Sequence, residues 1–158
     1  MNKHHCLFLN HCVIIINKKR KGEGCKIKFM PNQEKQTKIL IIEDEEILLK
    51  MYSLKFSNNN FKVFQANNGT TGLEIAKKEM PAIILLDIIM TQLDGFGVLE
   101  ELKKDKKTKN IPVILLSNLG QEDDIKKGQK LGAVDYLIKA NMTPIQVVNK
   151  VNEILGKK

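Results

Sequence analysis

From Lys38 onward the apolar residues alternate between two spacings. Short runs KILIIE (38–43), FKVFQA (61–66), AIILLD (82–87), IPVILLS (111–117) and VDYLIK (134–139) have the length and β-branched content of strands. The first, third and fourth are apolar at consecutive positions, as strands covered on both faces must be. Between them apolar residues recur every three or four positions, the helical period. Ile47, Leu48, Met51 and Leu54 follow Asp44-Glu45-Glu46, whose charge favours a helix N-terminus. Leu73, Ile75 and Ala76 mark a helix over 70–79 that stops before Pro81, and Val98, Leu99 and Leu102 mark one over 97–104. A helix over 121–131 would close at Gly132, a residue suited to a left-handed cap. A last one over 144–155 opens with Thr143 as N-cap and Pro144 at its first position. Five βα units in succession predict an α/β domain with a parallel sheet wrapped by helices on both faces.

The first 36 residues show no sustained period. They hold eight Lys/Arg against two acids, whereas residues 37–158 hold eighteen against sixteen. Most of the net charge of +8 therefore belongs to the leading segment. One of the 26 basic residues is arginine, the usual reader of base edges, so no direct DNA binding is expected. Cys6, Cys12 and Cys25 lie in the same segment with His4, His5 and His11, at spacings that fit no structural zinc pattern. An odd cysteine count without a secretory signal points to a reducing, cytoplasmic compartment. No run approaches the roughly 20 apolar residues of a membrane span. The expectation is a basic, disordered extension over 1–36, with Met30 as a candidate start, and a folded domain over 37–158.

Asp87 is the anomaly: a carboxylate closing the apolar run AIILLD and followed by Ile88-Ile89-Met90. An unpaired buried carboxylate is costly, so it needs a partner or a task. In open α/β sheets ligands bind beyond the carboxyl ends of the strands. Those ends carry Glu43 and Asp44, Asp87, Ser117 and Lys139. Converging carboxylates raise one another's pKa unless a cation intervenes, and carboxylates with a substrate phosphate are the usual surroundings of Mg²⁺. One carboxylate can then attack phosphorus while Lys139 and Ser117 hold phosphoryl oxygens. Glu43 and Asp44 also suit the start of a helix, Ser117 suits an ordinary turn, and Tyr136 suits a half-buried strand aromatic. A haloacid-dehalogenase-like phosphatase would want a second Asp two residues beyond the first, where Ile89 stands.

IIEDEE (41–46), LLDIIMTQLDG (85–95), VILLSN (113–118) and DYLIK (135–139) resemble the four signature blocks of the response-regulator receiver domain, the CheY-like family. The resemblance covers residues 38–155. It implies a flavodoxin-like (βα)5 three-layer sandwich with strand order 2-1-3-4-5. By position it makes Asp87 the phosphoacceptor and Lys139 the phosphate-binding lysine. Asp44, Asp87, Glu43 and the backbone carbonyl of Ile89 become Mg²⁺ ligands, and Ser117 and Tyr136 the switch pair.

The resemblance implies a response regulator of a two-component or phosphorelay system, phosphorylated by a histidine kinase or phosphotransfer protein. It would catalyse its own phosphotransfer and a slow autodephosphorylation, with apolar Ile89 and Leu119 shielding the phosphorus. With three residues after Leu155, a single-domain regulator that signals through a partner protein is expected. Four positions depart from the family pattern: Glu43 where Asp is common, Thr91 where proline follows Met90, Asn118 where Ala or Gly is often found, and Ala140 where proline follows Lys139. The last predicts a trans Lys139–Ala140 peptide, since a cis bond before a non-proline residue costs about 2.5–4 kcal/mol. The alternative these departures leave open is a receiver-like interaction module that works without phosphorylation.

Overall fold

The computed structural model describes residues 5–9, 12–17, 26–31, 36–91 and 93–157. The chain divides into two units, Met1–Lys35 and Gln36–Lys158. In the first, β1 (His5–Leu9), β2 (Cys12–Asn17) and β3 (Lys26–Pro31) form an antiparallel sheet in that order. His5 stands opposite Ile16, and Asn17 opposite Lys26. The sequence reading expected no regular structure here. The difference has a local reason: Val13-Ile14-Ile15-Ile16 is too short for a membrane span, yet it has the length and β-branching of a strand. The basic run 18–24 and His4, His11 and Cys25 lie outside the described residues.

The second unit runs β4 (Thr37–Ile42), α1 (Glu46–Ser57), β5 (Phe61–Ala66), α2 (Gly69–Glu79), β6 (Ile83–Leu86) and α3 (Gly95–Lys104). It continues with β7 (Val113–Ser117), α4 (Glu122–Lys130), β8 (Asp135–Ile138), a single 3₁₀ turn over Lys139–Asn141 and α5 (Pro144–Ile154). The five strands are parallel in the order β5-β4-β6-β7-β8, which is 2-1-3-4-5 counted within this unit. This is the flavodoxin-like arrangement. Its order reverses between β4 and β6, so a crevice opens beyond their carboxyl ends.

Successive residues of a strand point to opposite faces, which is why the apolar runs are unbroken. Ile39, Ile41, Leu85, Ile114 and Leu116 pack with Leu49, Tyr52 and Phe56 of α1 and Val147, Val148 and Val151 of α5. Leu40, Ile42, Ile84, Leu86 and Leu115 pack on the other face with Ala76 of α2 and Val98, Leu99 and Leu102 of α3. Two boundaries shift from the sequence reading. The helix expected from residue 97 begins at Gly95, because the Asp94 side chain accepts the Gly97 N–H at 2.7 Å and caps it. The strand expected from residue 111 begins at Val113, after Pro112, which has no N–H to give a ladder. Gly132 has φ +93°, and bonds from its own N–H to Gln129 and from Ala133 to Gly128 close α4 as anticipated. Among the described residues no helix is long and apolar enough to cross a membrane.

Candidate functional site

The crevice is built from strand ends. Glu43 follows β4, Asp87 follows β6, Ser117 ends β7 and Lys139 follows β8. Backbone bonds fix the first two: the Glu43 N–H donates to the Ala66 carbonyl of β5, and the Asp87 N–H donates to the Ile42 carbonyl of β4. Parallel strands of matched register thus deliver the acids to one level, side by side.

Lys139 joins them. Its Nζ lies 2.8 Å from Asp87 Oδ2 and 2.7 Å from Glu43 Oε2, with all three side chains under a tenth exposed. The other Asp87 oxygen, Oδ1, accepts the N–H of Ile88 at 2.7 Å and of Ile89 at 3.3 Å. Both oxygens of Asp87 are therefore held. Burial pushes the Glu43 carboxyl up to about 7, against the pull of Lys139 and with the Asp87 charge adding to the rise. Burial alone would lower the Lys139 ammonium, but its bonds to Asp87 and Glu43 outweigh that and hold it above the ordinary lysine value.

Asp44, half-buried at the rim, accepts the Thr91 N–H on Oδ2 at 3.0 Å. Glu43, Asp44 and Asp87 each offer a carboxylate oxygen, all within 4.8 Å of one another. Glu43 Oε1 is buried and has no hydrogen-bond partner among the described residues. An orphaned oxygen beside two more carboxylates fits a hard divalent cation, which takes oxygen ligands and would satisfy that atom.

Ser117 and Tyr136 do not bond to Asp87; they meet at Leu119. The buried Ser117 Oγ accepts the Leu119 N–H at 3.2 Å, and the Tyr136 hydroxyl donates to the Leu119 carbonyl at 2.8 Å. Burial and the Asp124 charge raise the Tyr136 phenol, with a smaller opposing pull from Ser117. Ile89 has an exposed side chain and Leu119 a partly buried one. The Lys139–Ala140 peptide is trans, as expected.

Two groups escaped the sequence reading. Tyr52, on the buried face of α1, has its phenol raised by burial and feels the charges of Lys139, Glu43 and Asp87. An aromatic on a helix's apolar stripe reads as core, and nothing in its spacing points upward. The Thr91 N–H was missed because position 91 drew notice only for the proline it lacks. That absence was the usable signal: a proline there has no donor.

Comparison with known proteins adds to this geometry. The profile described as "Response regulator receiver domain" matches residues 39–152. The "Probable transcriptional regulator ycf27" of Porphyra purpurea is 33% identical over 128 residues, 81% of this chain and 50% of that protein. The chain thus spans about half the length of the curated relative it matches. A receiver domain of a Francisella response regulator superposes with a TM-score of 0.68 at 29% identity, covering 74% of this chain and 94% of that one. A CheX–CheY complex with BeF3 and Mg²⁺ from Borrelia burgdorferi gives a TM-score of 0.70 at 25% identity, covering 75% and 89%.

Proposed function

Since the chain belongs to the response regulator receiver domain family of two-component signalling, we propose that it accepts a phosphoryl group on Asp87 from a phosphohistidine. The donor is a histidine kinase or a phosphotransfer protein. An Asp87 carboxylate oxygen forms a bond to phosphorus as the N–P bond breaks, and that electron pair returns to the imidazole. Lys139 supplies the ammonium for one phosphoryl oxygen and Ser117 a hydroxyl donor for another. Mg²⁺, held by Glu43, Asp44, Asp87 and the Ile89 carbonyl, would offset the repulsion between the acceptor and the incoming anion. Apolar Ile89 and Leu119, two residues beyond Asp87 and Ser117 respectively, would keep water from the phosphorus and slow hydrolysis. This chemistry suits a cytoplasmic protein, where kinases have their nucleotide.

The observation that carries this reading is the lysine shared by two buried acids at the sheet's order reversal. A structural ion pair needs one acid; a site that must exchange a carboxylate partner for a phosphate needs a mobile ammonium between anions. The surface beside the crevice supports a protein donor. Ile47, Met51 and Leu54 form an exposed apolar stripe on α1. Met51, Leu54, Pro144 and Ile145 line a groove of about 300 Å³ between α1 and the start of α5. The same Lys139 bridge favours one second reading, a receiver-like interaction module that never takes phosphate, because the bridge already neutralises the acids. Labelling with acetyl phosphate and Mg²⁺ separates them. Wild type should gain one phosphoryl group and Asp87→Asn none; equal labelling of the two, or none of either, defeats the acceptor assignment.

A further inference from the structure

The fourth helix touches the sheet through a glycine. Gly128 is the residue that α4 buries, and a Cβ there would stand 2.6 Å from Leu115 Cδ1 and 3.3 Å from Tyr136 Cδ2. Glycine is among the poorest residues for a helix interior, so its place in the middle of α4 needs a reason. The reason on view is the space that Leu115 and the tyrosine ring already fill. Without a Cβ at 128, the backbone of α4 comes down onto one side of Tyr136, whose hydroxyl is bonded to the Leu119 carbonyl. The N–H of that same Leu119 donates to Ser117 Oγ. A serine hydroxyl that accepts one bond keeps its own hydrogen free to donate.

We propose that Gly128 is a positioning residue for the phosphoryl site. The gap it leaves seats α4 on Tyr136, the seated ring keeps its hydroxyl on Leu119, and Leu119 holds the Ser117 hydroxyl ready for a phosphoryl oxygen. Only the last link rests on the phosphoacceptor reading; the seating of the ring belongs to the resting domain. A Cβ at 128 meets the end of Leu115, which can rotate away, and the rigid ring of Tyr136, which cannot bend. The ring, 3.3 Å away, must give by a few tenths of an ångström, and that shift strains its bond to Leu119.

The chain's two tyrosines, Tyr52 and Tyr136, make this measurable. The full chain labelled with fluorotyrosine should give two fluorine NMR signals, assigned through Tyr136→Phe. In Gly128→Ala the Tyr136 signal should move while the Tyr52 signal stays. Labelling by acetyl phosphate with Mg²⁺ should slow several-fold at saturating donor, with the half-saturating donor concentration unchanged. Lys130→Ala, on the exposed side of the same helix, should change neither. Gly128→Ser should repeat the Gly128→Ala result. A Tyr136 signal that does not move overturns the inference, and so does a displaced ring with the wild-type labelling rate. If wild type takes no label, the phosphoacceptor reading fails, and the signal shift alone decides whether Gly128 seats the ring.

Discussion

Glu43 and Thr91 are the two residues at which this crevice differs most usefully from a bare acidic pocket. The Glu43 carboxyl sits at about 7 in the folded domain, against an ordinary value of 4.5. Its folded value is the higher one, so the stability it contributes is fully present below about pH 4.5. That contribution is lost as pH rises through 7. In urea titrations without divalent ions, wild type should lose about 2–3 kcal/mol more than Glu43→Gln between pH 5 and pH 8. The same proton must leave before a cation binds, so Mg²⁺ affinity should climb with pH up to about 7 and level off in wild type. Thr91 acts through its backbone. Its N–H fixes the half-exposed Asp44 carboxylate, and Thr91→Pro removes that donor while Thr91→Ala keeps it. Thr91→Pro should bind Mg²⁺ several-fold more weakly in an NMR titration, and Thr91→Ala should match wild type. Residue types at the strand ends were legible in the sequence: three acids, a serine and a lysine at the ends of apolar runs. Their partners were not, because whether Lys139 meets Glu43 or Asp87 depends on side-chain reach across strands.

At the level of helices, α3 and α4 are opposites. The core-facing side of α3 buries Gly95, Phe96, Val98, Leu99 and Leu102, whereas α4 buries Gly128. Helical stability in a protein comes mostly from packing an apolar face, and regions with few buried contacts open first. Backbone amides of α4 should therefore exchange with deuterium faster than those of α3, by an order of magnitude or more. Equal protection of the two helices would contradict this. The sequence announces the difference, since EDDIKKGQK has one apolar side chain and GFGVLEELKK has four. What it leaves out is where each helix starts. Asp94 opens α3 two residues before the apolar repeat becomes visible, because a side-chain cap and not periodicity sets that end. In the leading segment antiparallel pairing joins β2 to runs on either side of it, and no single run shows its partner.

Over the whole second unit, one sheet serves two cores. Residues of odd and even number on β4 face opposite layers, so neither layer can dissolve without stripping the strand that supports the other. Tyr52 lies in one layer and Tyr136 packs against the other. Their fluorine signals should therefore disappear at the same urea concentration, whereas separate midpoints would mean layers that melt independently. The sheet order could be expected only through the family resemblance, because alternation of strands and helices fixes handedness and layers but not the sequence of neighbours. The same sheet sets how Asp87 stands. With Oδ1 tied to two amides and Oδ2 to an ammonium, the Asp87 side chain has no torsional freedom left to spend when a donor arrives. If Asp87 accepts a phosphoryl group as proposed, a donor would have to reach a carboxylate already fixed at both oxygens. On that reading the resting domain would set the line of transfer before any partner arrives.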